Sequence, residues 1–106
     1  MFLPDSAEFA DVALATRQLT PIAEAWIAHP GAYGHVLCIG RTANIGPPDG
    51  AIALSQLRAA AAGGLLTNLG VTNVVTEGRG YSDPLPDLGP LDPAQRSVSC
   101  QLIPNI

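Results

Sequence analysis

The feature that most constrains the fold is an alternation of two long segments of helical periodicity with short runs of strand-forming residues. The segments at about 7–29 and 49–69 repeat apolar residues three and four positions apart, which predicts two helices. The strand-forming runs are short, apolar or alternating, and bounded by turn residues; they lie at 36–39, 71–76 and 97–103. This alternation predicts one sheet with helices packed mainly on one face.

Each predicted helix has an apolar stripe and one interruption. The stripes consist of Leu19, Ile22, Ala23, Trp26 and Ile27 in the first helix and of Leu54, Leu57, Ala61, Leu65 and Leu69 in the second. Pro21 lacks an N–H and clashes with the preceding turn, so we expect a kink or a restart there, with Thr20 as the N-cap. Gly63 and Gly64 weaken the second helix by about 1 kcal/mol each relative to Ala.

Composition limits the classes of function. At 106 residues, with 47% apolar and only 13% charged residues, the chain fits one compact domain with one modest core. The net charge is −4 and all five basic residues are Arg, so the basic face that nucleic acid requires is missing. No apolar run approaches the roughly 20 residues of a membrane span, and no secretory signal opens the chain.

Enzyme and metal sites find little support in the residues. His29 ends the first predicted helix and His35 enters a strand, and neither has Cys or acidic neighbours at the spacing of metal ligands. Ser55 is not part of a recognisable nucleophile arrangement, because a G-x-S-x-G motif is absent. We therefore expect a non-catalytic protein without a cofactor or a metal.

Five motifs, in order along nearly the whole chain, resemble the OmpA-like (peptidoglycan-associated) domain family. They are G-R-T-A-N-I-G at 40–46, L-S-Q-L-R-A at 54–59, G-V at 70–71, G-R-G at 78–80 and Q-R-S-V at 95–98. The family motifs at the first, second and last of these places are G-x-T-D-x-x-G, L-S-x-x-R-A and N-R-R-V. The resemblance implies an α+β, two-layer sandwich of order β-α-β-α-β-β, with a mixed four-stranded sheet covered by helices on one face. It also implies one domain over residues 1–106, which we expect to be part of a longer envelope protein whose signal or anchor lies outside this chain.

The family motif around Arg58 implies a binding site. In OmpA-like domains the Arg of L-S-x-x-R-A holds a carboxylate of diaminopimelate in the peptidoglycan stem peptide, for which the planar guanidinium fork is suited. The nearby helix N-terminus adds partial positive charge. We expect Arg58 at the mouth of a small cleft with Thr42 and the 41–46 loop, its guanidinium open to an anion.

The sequence departs from the family at the residue that holds the ligand's ammonium group. The family Asp of T-D-x-x-G is Ala43 here, so we expect peptidoglycan binding to be weak or altered. Asp49 could supply a substitute carboxylate, although a helix-capping role suits its position better. Arg41 could add a second cation to the pocket or could be a solvated loop residue. Arg58 could also be structural, paired with an acid.

The two cysteines are Cys38, on a predicted strand, and Cys100, on the last strand. In OmpA-like domains these strands are antiparallel neighbours, so the resemblance implies that a cross-strand bridge can form in an oxidising envelope. The simpler interpretation is two small buried thiols, since cysteine often serves as a buried hydrophobe.

Two functional hypotheses follow, with a localisation outside the cytoplasmic membrane in both. The first is a non-catalytic envelope domain with a carboxylate or anion pocket around Arg58. The second is an OmpA-like fold that has lost peptidoglycan binding and serves as a protein–protein interaction or spacer domain.

The first strand carries a separate expectation. Residues 1–3 form only a stub before Pro4, which cannot donate a ladder hydrogen bond. The last strand would then keep unpaired backbone groups, and such an edge recruits other chains. We expect either a homodimer through the sheet edge or a natural chain that extends upstream.

Overall fold

A computed structural model describes residues 2, 6–42, 47–82 and 97–105, and the structural statements below concern these residues. The elements in chain order are α1 (Val12–Ala28), β1 (Tyr33–Gly40), α2 (Pro48–Asn68), β2 (Val74–Gly78) and β3 (Val98–Pro104). The strands form one mixed sheet of order β2-β1-β3, in which β1 is parallel to β2 and antiparallel to β3. The predicted α+β architecture with a mixed sheet is confirmed.

The predicted fourth strand is not part of this sheet in the described residues. Phe2 makes an isolated antiparallel bridge with Phe9, and the two rings stack with centroids 4.8 Å apart. Residues 1 and 3–5 lie outside the described part of the chain. The four-stranded sheet and the edge-to-edge dimer therefore stay predictions.

Helix α1 begins at Val12 rather than near residue 7, because Asp11 caps it. The Asp11 backbone is extended and its carboxylate accepts a hydrogen bond from Leu14 N–H at 3.1 Å. The expected restart at Pro21 is wrong, since one helix runs through this residue. The Thr20 hydroxyl, expected to cap a new helix, instead donates to the carbonyl of Thr16 one turn earlier, at 2.6 Å.

The predicted apolar stripe of α1 is correct in its centre and wrong at its end. Leu19 and Ala23 are buried, and Ile22 and Trp26 pack against the core. Ile27, however, is 56% exposed.

The predicted stripe of α2 is confirmed in part, because Ala61, Leu65 and Leu69 pack against the core, but the fully buried face is a different one. Leu57 is 60% exposed, while the buried residues are mostly small: Ala51, Ser55, Arg58, Ala59, Ala62, Gly63 and Leu66. The reason is close contact between α2 and the sheet. A Cβ at Gly40 would collide with the backbone of Ser55, and one at Gly78 would collide with Gln56. Large leucines do not fit where helix and strand backbones approach so closely.

The three strands lie where the sequence predicted them, although the ends of β1 and β2 differ from the prediction. Strand β1 extends the predicted 36–39 run in both directions, and β2 begins at Val74 rather than at residue 71. Val71 is buried in the core, and its N–H donates to the carbonyl of Leu66 at the end of α2. The alternation of β3 is confirmed, because its three predicted inward residues belong to the core or pack against it: Val98, Cys100 and Leu102.

Candidate functional site

The candidate site lies where β1 and β2 end and α2 begins its course across the sheet. Beyond the last paired residues the backbone bonding continues: Arg79 N–H donates to Gly40 O at 3.0 Å. Thr42 N–H then donates to Gly80 O at 2.9 Å. The residues that follow β1 are therefore held against the turn that follows β2. Ligands of parallel strand–helix units commonly bind at these carboxyl ends of the strands.

Arg41 is held from the other side by the beginning of β3. Its N–H donates to Ser97 O at 2.9 Å, and its guanidinium NH1 group donates to the Ser99 hydroxyl at 2.9 Å. The side chain is only 9% exposed. The interpretation of Arg41 as a solvated loop residue is therefore wrong, and the residue is built into the end of the sheet.

Arg58 is buried, at 1% exposure. Its Nε donates to the carbonyl oxygen of Ser6 at 2.9 Å, and its NH1 group donates to the carbonyl oxygen of Arg41 at 3.3 Å. The guanidinium carbon also lies 5.3 Å from the centre of the Phe2 ring, within cation–π distance. The expected open guanidinium at a cleft mouth is wrong, because the buried face of α2 is the one that carries Arg58.

Thr42, the other residue expected beside Arg58, is 5% exposed. Its hydroxyl oxygen makes no hydrogen bond to any group in the described part of the chain. Buried hydroxyls almost always have a partner, so a lone one calls for an explanation such as a ligand or a water. Thr42 directly follows Arg41, whose carbonyl oxygen accepts the hydrogen bond from Arg58.

Asp49 does not cap α2, so the capping interpretation is wrong. The N-cap is Pro47, with extended backbone and no side-chain hydrogen bond, and Pro48 is the first helical residue. Asp49 is exposed in the first turn, where its negative charge is favoured by the helix dipole. Ala43 lies outside the described residues, so the site of the missing family Asp stays an expectation from the sequence.

Ser55 is a residue whose role sequence reasoning missed. It is fully buried, accepts a hydrogen bond from Gly80 N–H at 2.8 Å and donates to Ile52 O at 2.7 Å. Ser55 thereby links α2 to Gly80, whose carbonyl oxygen accepts the backbone hydrogen bond from Thr42. The available signal was its place three residues before Arg58, on the same helix face.

In the described part of the chain, arginine residues are concentrated at this end of the sheet. Of the four basic residues in the described ranges, three lie there: Arg41, Arg58 and Arg79. Arg79 also contacts Glu77 at 3.3 Å in a partly exposed ion pair, which contributes little to stability.

The described residues also form a concavity away from this end. A concavity of about 320 Å³ lies at the opposite end of the sheet; its lining includes Trp26, His29, Tyr33 and Thr72. Over the described ranges, His, Cys, Asp and Glu side chains form no group of three that could hold a metal ion. In the same ranges no helix has the length and hydropathy to cross a membrane.

Comparison with known proteins relates this fold to solved bacterial domains. No family model matches the sequence, and no curated protein matches it. The OmpA-like domain of FopA1 from Francisella tularensis subsp. tularensis SCHU S4 is similar with a TM-score of 0.78 and 20% identity, over 97% of this chain and 69% of that chain. The peptidoglycan-associated lipoprotein from Burkholderia pseudomallei has a TM-score of 0.75 and 27% identity, over 96% and 85%.

A third solved structure, the C-terminal domain of Helicobacter pylori MotB, has a TM-score of 0.76 and 16% identity, over 94% of this chain and 78% of that chain. Each likeness covers nearly all of this chain, so the elements agree in order as well as in kind. The resemblance that the sequence motifs predicted is therefore confirmed, and the chain has the fold of the OmpA-like domain family.

Proposed function

We propose that this chain is a non-catalytic cell-envelope domain that associates with peptidoglycan at the carboxyl ends of β1 and β2. The fold supports this, and so does the Burkholderia relative, whose name describes it as peptidoglycan-associated. The observation that carries the proposal is the Thr42 hydroxyl, which is buried without a hydrogen-bond partner in the described residues. We also propose that residues 1–106 are one domain of a longer envelope protein.

The ligand group that suits this end is a carboxylate of the stem peptide. Ligand binding must first uncover the buried Thr42 hydroxyl, which can then donate one hydrogen bond to the carboxylate. The N-terminus of α2 lacks a side-chain cap, and although Pro47 and Pro48 have no N–H groups, the positive end of the helix dipole there favours negative charge. Arg58 is buried and donates hydrogen bonds to two backbone carbonyls. It therefore stabilises the backbone next to the site and does not contact the ligand directly.

Recognition of the ligand's ammonium group is the weak half of this site. The family Asp is replaced by Ala43, and Asp49 is an exposed acid of the first turn that can approach a ligand from the solvent side. An exposed carboxylate contributes less than a buried one because water screens it. We therefore propose weak or altered diaminopimelate recognition.

Retention on purified sacculi tests the proposal with a matched pair of variants. Thr42→Val removes the hydroxyl with almost no change of shape, and we expect roughly tenfold weaker binding, the equivalent of one hydrogen bond. Thr67→Val makes the same chemical change on the far end of α2, where the exposed Thr67 hydroxyl bonds to Gly63 O, and should bind as the unaltered protein does. Equal binding of both variants would contradict the proposed site.

The alternative, a spacer or protein–protein interaction domain, is favoured by one specific observation. The residue that corresponds to the family's carboxylate-binding Arg is buried and bonded to backbone carbonyls. If the unaltered protein does not bind sacculi at all while it is folded, this alternative replaces the first proposal.

A further inference from the structure

Cys38 and Cys100 face each other across the central pair of strands. They are direct partners in the antiparallel register of β1 and β3. Their sulfur atoms lie 2.9 Å apart, and both are free thiols. Cys38 is fully buried, whereas Cys100 is partly exposed.

The hydrogen-bond pattern shows which kind of pair this is. Arg41 N–H donates to Ser97 O, so these two opposite residues form a hydrogen-bonded pair. Hydrogen-bonded and non-hydrogen-bonded pairs alternate along an antiparallel ladder, and the register is unbroken from Gly40↔Val98 to Cys38↔Cys100. Counting back from Arg41, the cysteines fall at a non-hydrogen-bonded pair. At such pairs the Cα atoms are about 4.5 Å apart, within the range that a disulfide spans.

We propose that Cys38 and Cys100 are a built-in disulfide site that cross-links β1 to β3 under oxidising conditions. A disulfide oxidant of the glutathione or dithiol-oxidoreductase class supplies the chemistry. The thiol of Cys100, the more exposed of the two residues, loses its proton, attacks the oxidant's disulfide and displaces one thiol, which takes up a proton. Cys38 then attacks that mixed disulfide and displaces the second thiol. Two protein thiols thus become one disulfide, and the oxidant's disulfide becomes two thiols.

Access favours Cys100 for the first attack, because Cys38 is fully buried, whereas the pKa shifts favour Cys38 for the second attack. The hydrogen bond with Cys100 lowers the pKa of the Cys38 thiol, although burial opposes this. The same hydrogen bond raises the pKa of the Cys100 thiol, and burial adds to the effect. The shifts have opposite signs because one sulfur of the pair keeps the proton that the two share after the first ionisation. Once Cys100 is occupied in a mixed disulfide, the buried Cys38 beside it is the resolving thiol.

The cross-link would stabilise the end of the sheet that carries Arg41. It joins positions 62 apart in sequence, so the closed loop includes all of α2 and β2. Closing a long loop restricts the unfolded chain strongly. The bond also fixes the β1–β3 register that sets Arg41 opposite Ser97. This inference concerns the strand pair and holds whether or not the domain binds peptidoglycan.

The experiment equilibrates the whole chain with mixed reduced and oxidised glutathione. The chain is then denatured in acid and alkylated, and its mass is measured. We expect a monomer that has lost two hydrogen atoms and resists alkylation, with a Tm on the order of 10 °C above that of the reduced protein. Cys100→Ser, at the partly exposed position, should fold, should never lose the two hydrogens, and should have a Tm that does not depend on the redox buffer.

Two results would overturn the proposal. One is alkylation of both cysteines after equilibration with excess oxidised glutathione, both for the native protein and for protein refolded in that buffer. The other is a product that contains only glutathione adducts or cross-linked dimers. Cys38→Ala is a second single variant, and it must abolish the intramolecular bond as Cys100→Ser does.

Discussion

Arg58 donates a hydrogen bond from Nε to the carbonyl oxygen of Ser6, 2.9 Å away and 52 positions earlier in the sequence. The same guanidinium bonds to the carbonyl of Arg41, so one side chain joins the segment before α1 to the end of β1. A buried cation with backbone partners at both ends is a structural support of the candidate site. Its removal should therefore affect folding before it affects binding.

Arg58→Lys should destabilise the fold. Lysine keeps the charge but cannot reproduce the planar fork, so at least one of the two carbonyls loses its partner in a buried place. We expect a loss of about 1–3 kcal/mol in the free energy of unfolding, measured by urea denaturation. Arg17→Lys, on the exposed side of α1, is the matched control and should change stability by less than about 0.5 kcal/mol. Equal midpoints for both variants would contradict a supporting role.

Ser55→Ala should also destabilise the fold, although alanine is the better helix former. The change leaves the Gly80 N–H without its acceptor in a buried place, at a cost of about 1–3 kcal/mol. Ser82→Ala removes an exposed hydroxyl that bonds to Arg79 O, and its midpoint should stay close to that of the unaltered protein. A Ser55→Ala variant that is more stable than the original would mean that helix propensity outweighs this bond.

Glycines on α2 and β1 should respond to alanine in opposite directions. Gly40→Ala brings a Cβ against the Ser55 backbone, so we expect a loss above about 3 kcal/mol or a failure to fold. Gly64→Ala meets open space on the exposed side of α2 and should gain about 0.5–1 kcal/mol. Thermal melts of the two variants measure both effects. A tolerated Gly40→Ala would show that helix and strand separate easily.

Ala43→Asp should strengthen retention on sacculi. The change restores the carboxylate that holds the ligand's ammonium group in OmpA-like domains, and a charge-assisted hydrogen bond contributes about 1.5–3 kcal/mol, a gain of roughly tenfold or more. Ala53→Asp adds the same charge at an exposed position of α2 and controls for net charge. If both variants bind equally, the effect is general electrostatics, and the account of Ala43 is wrong.

The elements of this fold were predictable from the sequence because each depends on local chemistry. Strand β3 shows the alternation of Val98, Cys100 and Leu102 that a strand with one buried face requires. The five motifs likewise predicted the OmpA-like fold. The end of α1 was also predictable from the sequence, since the Pro30–Gly31 turn that follows His29 stops a helix.

Only the tertiary structure decided which face of α2 is buried. The apolar pattern pointed to Leu57, but Gly40 and Gly78 let the helix approach the sheet so closely that small residues fill the contact. Ser55 and Arg58 therefore lie on the buried face of α2. Arg58, which was expected to bind the ligand, instead stabilises the backbone before Thr42 by its hydrogen bonds to Ser6 and Arg41. Local periodicity records hydrophobicity and not the distance between backbones. The sequence therefore left the role of Arg58 open between ligand binding and structural support, and it did not predict the buried Thr42 hydroxyl without a partner.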